Sequence, residues 1–202
     1  RNTEGREAMG NVMRFWLNKG VDGFRVDVVW KLLKHPDMPN QPPTNKPPFF
    51  QAAPEYNAQD HVYDEDQDDI HPLLLKMRNV IDEYEGNRVL IGEIYLPMHR
   101  WADYFGKDEE EFHLPFNFGL LGTDWEAEAI RDHVEELEKI VKHKGWPNYV
   151  LGNHDKFRLG SRLGLKNKRL AGMLLLTLRG SPTLYYGDEI GMVDGKIPIE
   201  KY

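Results

Sequence analysis

Apolar residues at Met9, Val12, Met13, Trp16 and Leu17 follow a spacing of three and one. That is the stripe of an amphipathic helix, and it predicts a helix over residues 4–20 with Gly20 at its C-terminal end. A strand over Val21–Val28 follows with almost no connection. The alternation then recurs. A helix over His71–Tyr84 leads to a strand at residues 89–94 (VLIGEI), and a further strand at 113–118 (HLPFNF) leads to a charged helix over Asp124–His143. Next come a strand in 148–155 (NYVLGNHD), a helix over Lys166–Leu178 and a last strand in 181–192 (SPTLYYGDEIGM). Five apolar strands separated by helices predict a parallel sheet covered on both faces, the α/β class. Their uneven spacing suits a barrel whose loops at one end carry the function.

Residues 35–70 break the pattern. Seven of the 13 prolines fall in His35–Pro54, and seven carboxylates follow between Glu55 and Asp69. Phe49, Phe50, Tyr56, Val62 and Tyr63 make this stretch too apolar for a disordered linker, so a packed loop covering a site is expected. The run DEDQDD lacks the spaced ligands and central glycine of a calcium-binding loop, and reads as a solvated acidic surface. On the charged helix, Glu135 with Lys139 and Glu138 with Lys142 are spaced to pair across a solvated face.

A net charge of −7 without a basic stripe argues against a nucleic-acid partner. No cysteine is present, which excludes disulfides and thiolate metal sites and fits a reducing compartment, with a cytoplasmic location as the expectation. No apolar run approaches the roughly 18 residues of a membrane span, so no membrane partner is expected.

Arg25 and Asp27 lie two residues apart inside the apolar run GFRVD, on one face of a strand. Taken alone, the pair is either a structural ion pair or the floor of a site. In parallel α/β barrels the C-terminal ends of strands face the active-site mouth. That position is held by Asp27, by Glu93 in VLIGE and by Asp155 in YVLGNHD, with His154 beside the last. One such carboxylate reads as a helix N-cap; three together, with Arg25 and His154, point to chemistry.

Glycoside cleavage uses such a set. One carboxylate attacks the anomeric carbon, while a second acid protonates the leaving oxygen and later activates water. The two need opposite protonation states at one pH, which a neighbouring cation and a less polar surrounding can provide. Arg25 makes Asp27 the better nucleophile, and Ile91, Ile94 and Tyr95 make Glu93 the better acid. Asp155 suits binding of sugar hydroxyls and opposition to the positive charge of the transition state.

The segments GFRVDVV, VLIGEIY and VLGNHD resemble the second, third and fourth signature regions of the α-amylase superfamily, glycoside hydrolase family 13. LPFNF, NHDKFR and LRGSPTLYYGDEIGM resemble its α-glucosidase and oligo-1,6-glucosidase branch. The resemblance implies a (β/α)8 TIM barrel of which residues 1–202 carry the C-terminal part, about five βα units, with loop 35–70 inserted. It places the first three strands, a second sugar-binding histidine and a calcium-binding loop upstream, and a β-sandwich domain downstream. The segment is then expected to be a fragment, or to complete its barrel with another chain. The resemblance makes Asp27 the nucleophile, Glu93 the general acid/base and Asp155 the transition-state stabiliser. Arg25 positions Asp27, while His154 and Arg158 bind substrate. No metal site and no cofactor is expected within this segment.

The activity so implied is that of a retaining α-glucosidase releasing terminal α-1,4- or α-1,6-linked glucose from short oligosaccharides. Val28, directly after the nucleophile, leans toward α-1,6 linkages. Three alternatives stand beside it: a transglucosylase or trehalose-synthase-like isomerase with the same machinery, a non-catalytic transporter heavy chain, and an inactive fragment. Ser161 lacks the elbow motif of a hydrolase nucleophile and reads as a loop serine. Tyr95, Trp101, Phe116 and Phe118 are candidates for sugar stacking or core packing. Asp188 and Glu189 read as caps or supports. The remaining histidines read mostly as surface positions or caps.

Overall fold

The computed structural model describes residues 2–46 and 54–195, so Phe49 and Phe50 lie outside the described residues. The chain forms two compact units, Arg1–Phe116 with Ile140–Gly145, and Asn117–Lys139 with Trp146–Tyr202. The first carries α1 (Thr3–Asn18), β1 (Gly23–Val26), α2 (Pro54–Asn57), α3 (His71–Asp82), β2 (Val89–Gly92), α4 (Met98–Trp101) and β3 (Leu114–Pro115). The second carries α5 (Gly119–Gly122), most of α6 (Ala127–Val141), β4 (Asn148–Val150), α7 (Leu159–Leu163), α8 (Lys168–Thr177) and β5 (Ser181–Thr183). Among the described residues every strand pair is parallel: β1–β2–β3 in the first unit and β4–β5 in the second. Helices alternate with parallel strands, as in the βα units of a (β/α)8 barrel.

Local chemistry explains the boundaries. The Asn2 side chain accepts from the Gly5 amide at 2.8 Å and opens α1, and Gly20, at φ 92°, lies just beyond its end. The strands are shorter than the apolar runs that predict them. β1 stops at Val26 because Val28 turns into the left-handed region, φ 47°. The expected strand 113–118 shrinks to two residues. There the His113 ring accepts from the Leu90 amide at 3.0 Å, replacing a ladder bond, and Pro115 has no N–H to donate.

The core of the first unit is built from Leu74, Ile81, Leu90, Ile94, Tyr104 and Phe105, all nearly inaccessible. Of the α1 stripe, only Met13 and Leu17 are buried, whereas Met9, Val12 and Trp16 are exposed, with Phe15 beside them. α1 packs on α3, which covers one side of the stripe only. A cavity of about 1250 Å³ opens along α1, β1 and α3, lined by Met9, Val12, Trp16 and Phe24 among others. On α6, Glu138 pairs with Arg179 at 2.6 Å rather than along its own helix, and Glu135 faces Arg131 at 3.9 Å.

The acidic run of loop 35–70 is not uniformly solvated. Asp68 is exposed, but Asp66 turns inward at φ 47° and accepts from Arg100 Nε at 2.6 Å and Tyr104 OH at 2.9 Å. A long-range cation and a buried phenol draw that carboxylate inward, and neither is visible in the run itself. The loop is pinched at its neck, where the His35 amide donates to the Tyr63 carbonyl at 2.7 Å. The histidines are likewise more engaged than surface caps: His71 meets Glu111 at 2.9 Å, and His133 is half-buried with its pKa lowered by burial.

At Gly23 β1 approaches β2 closely, since a Cβ there would lie 1.9 Å from the Val89 carbonyl oxygen. Gly23→Ala is therefore expected to lower stability by about 1–3 kcal/mol, the usual cost of overpacking. Urea denaturation of the full-length protein checks this; an unchanged midpoint contradicts the close approach.

Candidate active site

Three sequence-predicted residues meet at the C-terminal ends of β1 and β2. Parallel register sets Arg25 beside Ile91 and Val26 beside Gly92, so the chain beyond each strand emerges side by side. The Glu93 amide donates to the Val26 carbonyl at 2.9 Å, and the Val29 amide donates to the Glu93 carbonyl at 3.1 Å. Glu93 is thereby enclosed by the turn that follows Asp27.

Arg25 joins the two acids. Its Nη1 donates to Asp27 Oδ1, and its Nη2 lies 3.0 Å from Glu93 Oε2. The guanidinium thus serves both carboxylates, rather than Asp27 alone as the strand pattern suggests. The two differ sharply in environment: the Asp27 side chain is 69% exposed and that of Glu93 only 5%. Glu93 Oε2 also accepts from the Val28 amide at 3.1 Å. Burial raises the Glu93 pKa; the Val28 amide and Arg25 oppose the rise, and a hydrogen bond shared with Asp27 adds to it.

Val28 carries backbone strain. A β-branched residue at φ 47°, ψ 47° is a conformational outlier, of a kind that clusters at functional sites and costs about 1–3 kcal/mol. Here the strained turn aims the Val28 amide at Glu93. Trp30 and Tyr95 flank the acid's element, their rings 5.6 Å apart. Trp101 is core: it is 2% exposed, and its indole N–H donates to the Phe116 carbonyl at 2.9 Å.

The second unit brings His154, Asp155 and Arg158 onto the loop after β4. His154 Nε2 lies 3.5 Å from Asp155 Oδ1, both side chains are more than half exposed, and the Asp155 amide donates to Asn153 Oδ1 at 3.2 Å. The Arg158 guanidinium lies over the rings of Tyr185 and Tyr186, at 5.0 and 4.8 Å, and donates to the Tyr186 carbonyl at 2.7 Å. Ser161 Oγ accepts from the Asp194 amide at 2.8 Å, a structural role. Asp188 is half-buried and its pKa is raised by burial. Sequence reasoning overlooked Arg162, whose half-buried guanidinium reaches this same loop; only its place after NHDKFR on a helix could have flagged it.

Among the described residues, His61, Asp64 and Glu65 bring potential metal-ligand atoms within 4.8 Å of one another. Lys31 Nζ lies 3.0 Å from Glu65 Oε1 and already supplies positive charge there.

The family described as the alpha amylase catalytic domain matches residues 1–202. Maltase A1 of Drosophila melanogaster is 32% identical over 96% of this chain and 36% of its own length. Amino acid transporter heavy chain SLC3A1 of Homo sapiens is 32% identical over 95% of this chain and 29% of its own. The solved structure of an alpha-glucosyl transfer enzyme, XgtA, matches with a TM-score of 0.88 at 32% identity, over 100% of this chain and 39% of that one. The chain therefore spans about a third of the length of these relatives.

Because the Glu93 pKa is raised in the fold, the native state holds that proton more tightly than the unfolded chain does. The resulting stabilisation is fully present below the ordinary carboxyl range and is lost as pH rises through the elevated value. Arg25→Met removes the cation that opposes the rise, so Glu93 should titrate at still higher pH. A carbon-13 NMR titration of the Glu93 carboxyl reads this directly; an unchanged or lowered midpoint contradicts it.

Proposed function

The chain belongs to the α-amylase catalytic-domain family, glycoside hydrolase family 13, and on that footing we propose that it carries the acid pair of a retaining α-glucosidase. One observation carries the reading: Arg25 bridges two carboxylates at the ends of neighbouring strands, one exposed and one buried with a raised pKa. Asp27, exposed and beside the Arg25 guanidinium, attacks the anomeric carbon. Glu93, holding its proton, delivers it to the departing glycosidic oxygen. A glycosyl ester on Asp27 results; Glu93 then takes a proton from water, whose oxygen displaces Asp27 and releases glucose with its α configuration.

A hydrogen bond between the two carboxyls contributes to the raised Glu93 pKa. Catalysis requires them about 5–5.5 Å apart, and Asp27, with the more exposed side chain, has the room to turn. Asp155 opposes the oxocarbenium charge, and His154 and Arg158 bind sugar hydroxyls. Short α-glucosides such as maltose and isomaltose are the substrates this reading favours. Transfer of glucose to a sugar acceptor is a second reading, supported by the likeness to XgtA; it uses the same residues with a sugar hydroxyl in place of water.

In the full-length protein, Asp27→Asn should abolish turnover of maltose, isomaltose and p-nitrophenyl α-glucoside. Glu93→Gln should lower kcat/KM on maltose by about 10²–10⁴-fold and that on p-nitrophenyl α-glucoside less, because that leaving group needs no proton. Its kcat should fall on both, because the second step needs Glu93 as base. Rates should fall as pH rises through the Glu93 pKa, since the acid must enter protonated. Steady-state kinetics, with NMR of the first-formed anomer, test the set; full activity in Asp27→Asn, or inversion of configuration, would sink the mechanism.

A further inference from the structure

The loop that carries His154 and Asp155 leaves β4 at Val150 and enters α7 at Leu159. With both side chains more than half exposed, packing of these residues does not fix their place. A single group on α7 reaches both ends of the loop. Arg162 donates through Nη2 to the Leu151 carbonyl, where the loop begins, and through Nε to the Phe157 carbonyl at 3.1 Å, where it ends. Its Nη1 donates to the Leu121 carbonyl on α5 at 3.2 Å. A planar guanidinium offers these donors in a fixed fork, which an ammonium on a flexible stem cannot copy.

Asp188 completes the arrangement. It is the carboxylate whose charge acts on Arg162. Its Oδ2 lies 2.8 Å from where a Cβ on Gly152 would be, so only the absence of that side chain lets Asp188 sit beneath the start of the loop. Its Oδ1 is buried and has no hydrogen-bond partner among the described residues, and the charges of the Arg158 and Arg162 guanidiniums compensate it.

We propose that Arg162 is a positioning residue that clamps loop 151–157 at both ends and so sets where Asp155 and His154 stand; this rests on the reading of those two residues as parts of a sugar-cleaving site. Arg162 touches no substrate. Its effect passes through Asp155, and misplacement of a reacting group by about an ångström can cost on the order of 10²-fold in rate.

The test uses the full-length protein with Arg162→Met, Arg162→Lys, Asp155→Asn and the double variant Asp155→Asn/Arg162→Met, assayed on maltose well below each thermal midpoint. Arg162→Met should lose on the order of 10²-fold in kcat with a smaller change in KM, and Arg162→Lys should recover only part of the loss. The double variant should be no slower than Asp155→Asn alone. A folded Arg162→Met with kcat within about two-fold of the parent overturns the proposal, as does a full further loss in the double variant. Should Arg162→Met fail to fold, Arg162→Lys and its double variant carry the same comparison. Full activity in Asp155→Asn overturns the functional reading itself, an outcome distinct from an Asp155-dependent enzyme that ignores Arg162.

Discussion

A carboxylate withdrawn from water costs several kcal/mol unless donors meet it, and the first unit is arranged around that demand at Glu93. The acid stands at the end of a central parallel strand, 4% exposed. Its donors come from β1 and the turn after it: the Arg25 side chain, and the Val28 amide that a left-handed turn directs inward. The arrangement is incomplete by design, because full compensation would hold Glu93 ionised. With two donors opposing burial, the acid keeps its proton to higher pH while remaining fixed in place. Strain at Val28 and partial desolvation at Glu93 are two aspects of one geometry.

The second unit solves a different problem. Asp155 and His154 are exposed, so no desolvation holds them, and order must come from the backbone beneath. Side chains beside the loop and at its exit provide it. Arg162 grips carbonyls at both ends, Asp188 occupies the space left by Gly152, and Arg158 anchors the exit on Tyr185 and Tyr186.

Much of this was legible in the sequence because parallel strands declare themselves as apolar runs, and a charge at the end of such a run is conspicuous. Asp27, Glu93 and Asp155 stood out in that way, and Arg25 beside Asp27 followed from the period of a strand. Periodicity could not show that the strand stops at Val26, since Val28 is a good strand residue that here takes a left-handed turn. Nor could it show that Arg25 reaches Glu93, 68 positions away, or that Arg162 spans the loop from Leu151 to Phe157. Those are tertiary pairings that carry no periodic trace. Local pattern misled for the acidic run and for Glu138 in the same way, because Arg100, Tyr104 and Arg179 lie far off in sequence.

The long loop after β1 has its ends tied by short-range chemistry. The His35 amide meets the Tyr63 carbonyl, and Asp66 is held by the Trp30 carbonyl, Arg100 and Tyr104. The neck is also tied from within the loop, since the Tyr63 amide donates to Gln41 Oε1 at 3.2 Å and Lys31 Nζ donates to the Tyr56 hydroxyl. Trp30 and Lys31, which make these contacts, follow directly on the Val28 turn that directs an amide to Glu93, so closure of the loop and the setting of the acid share one stretch of backbone.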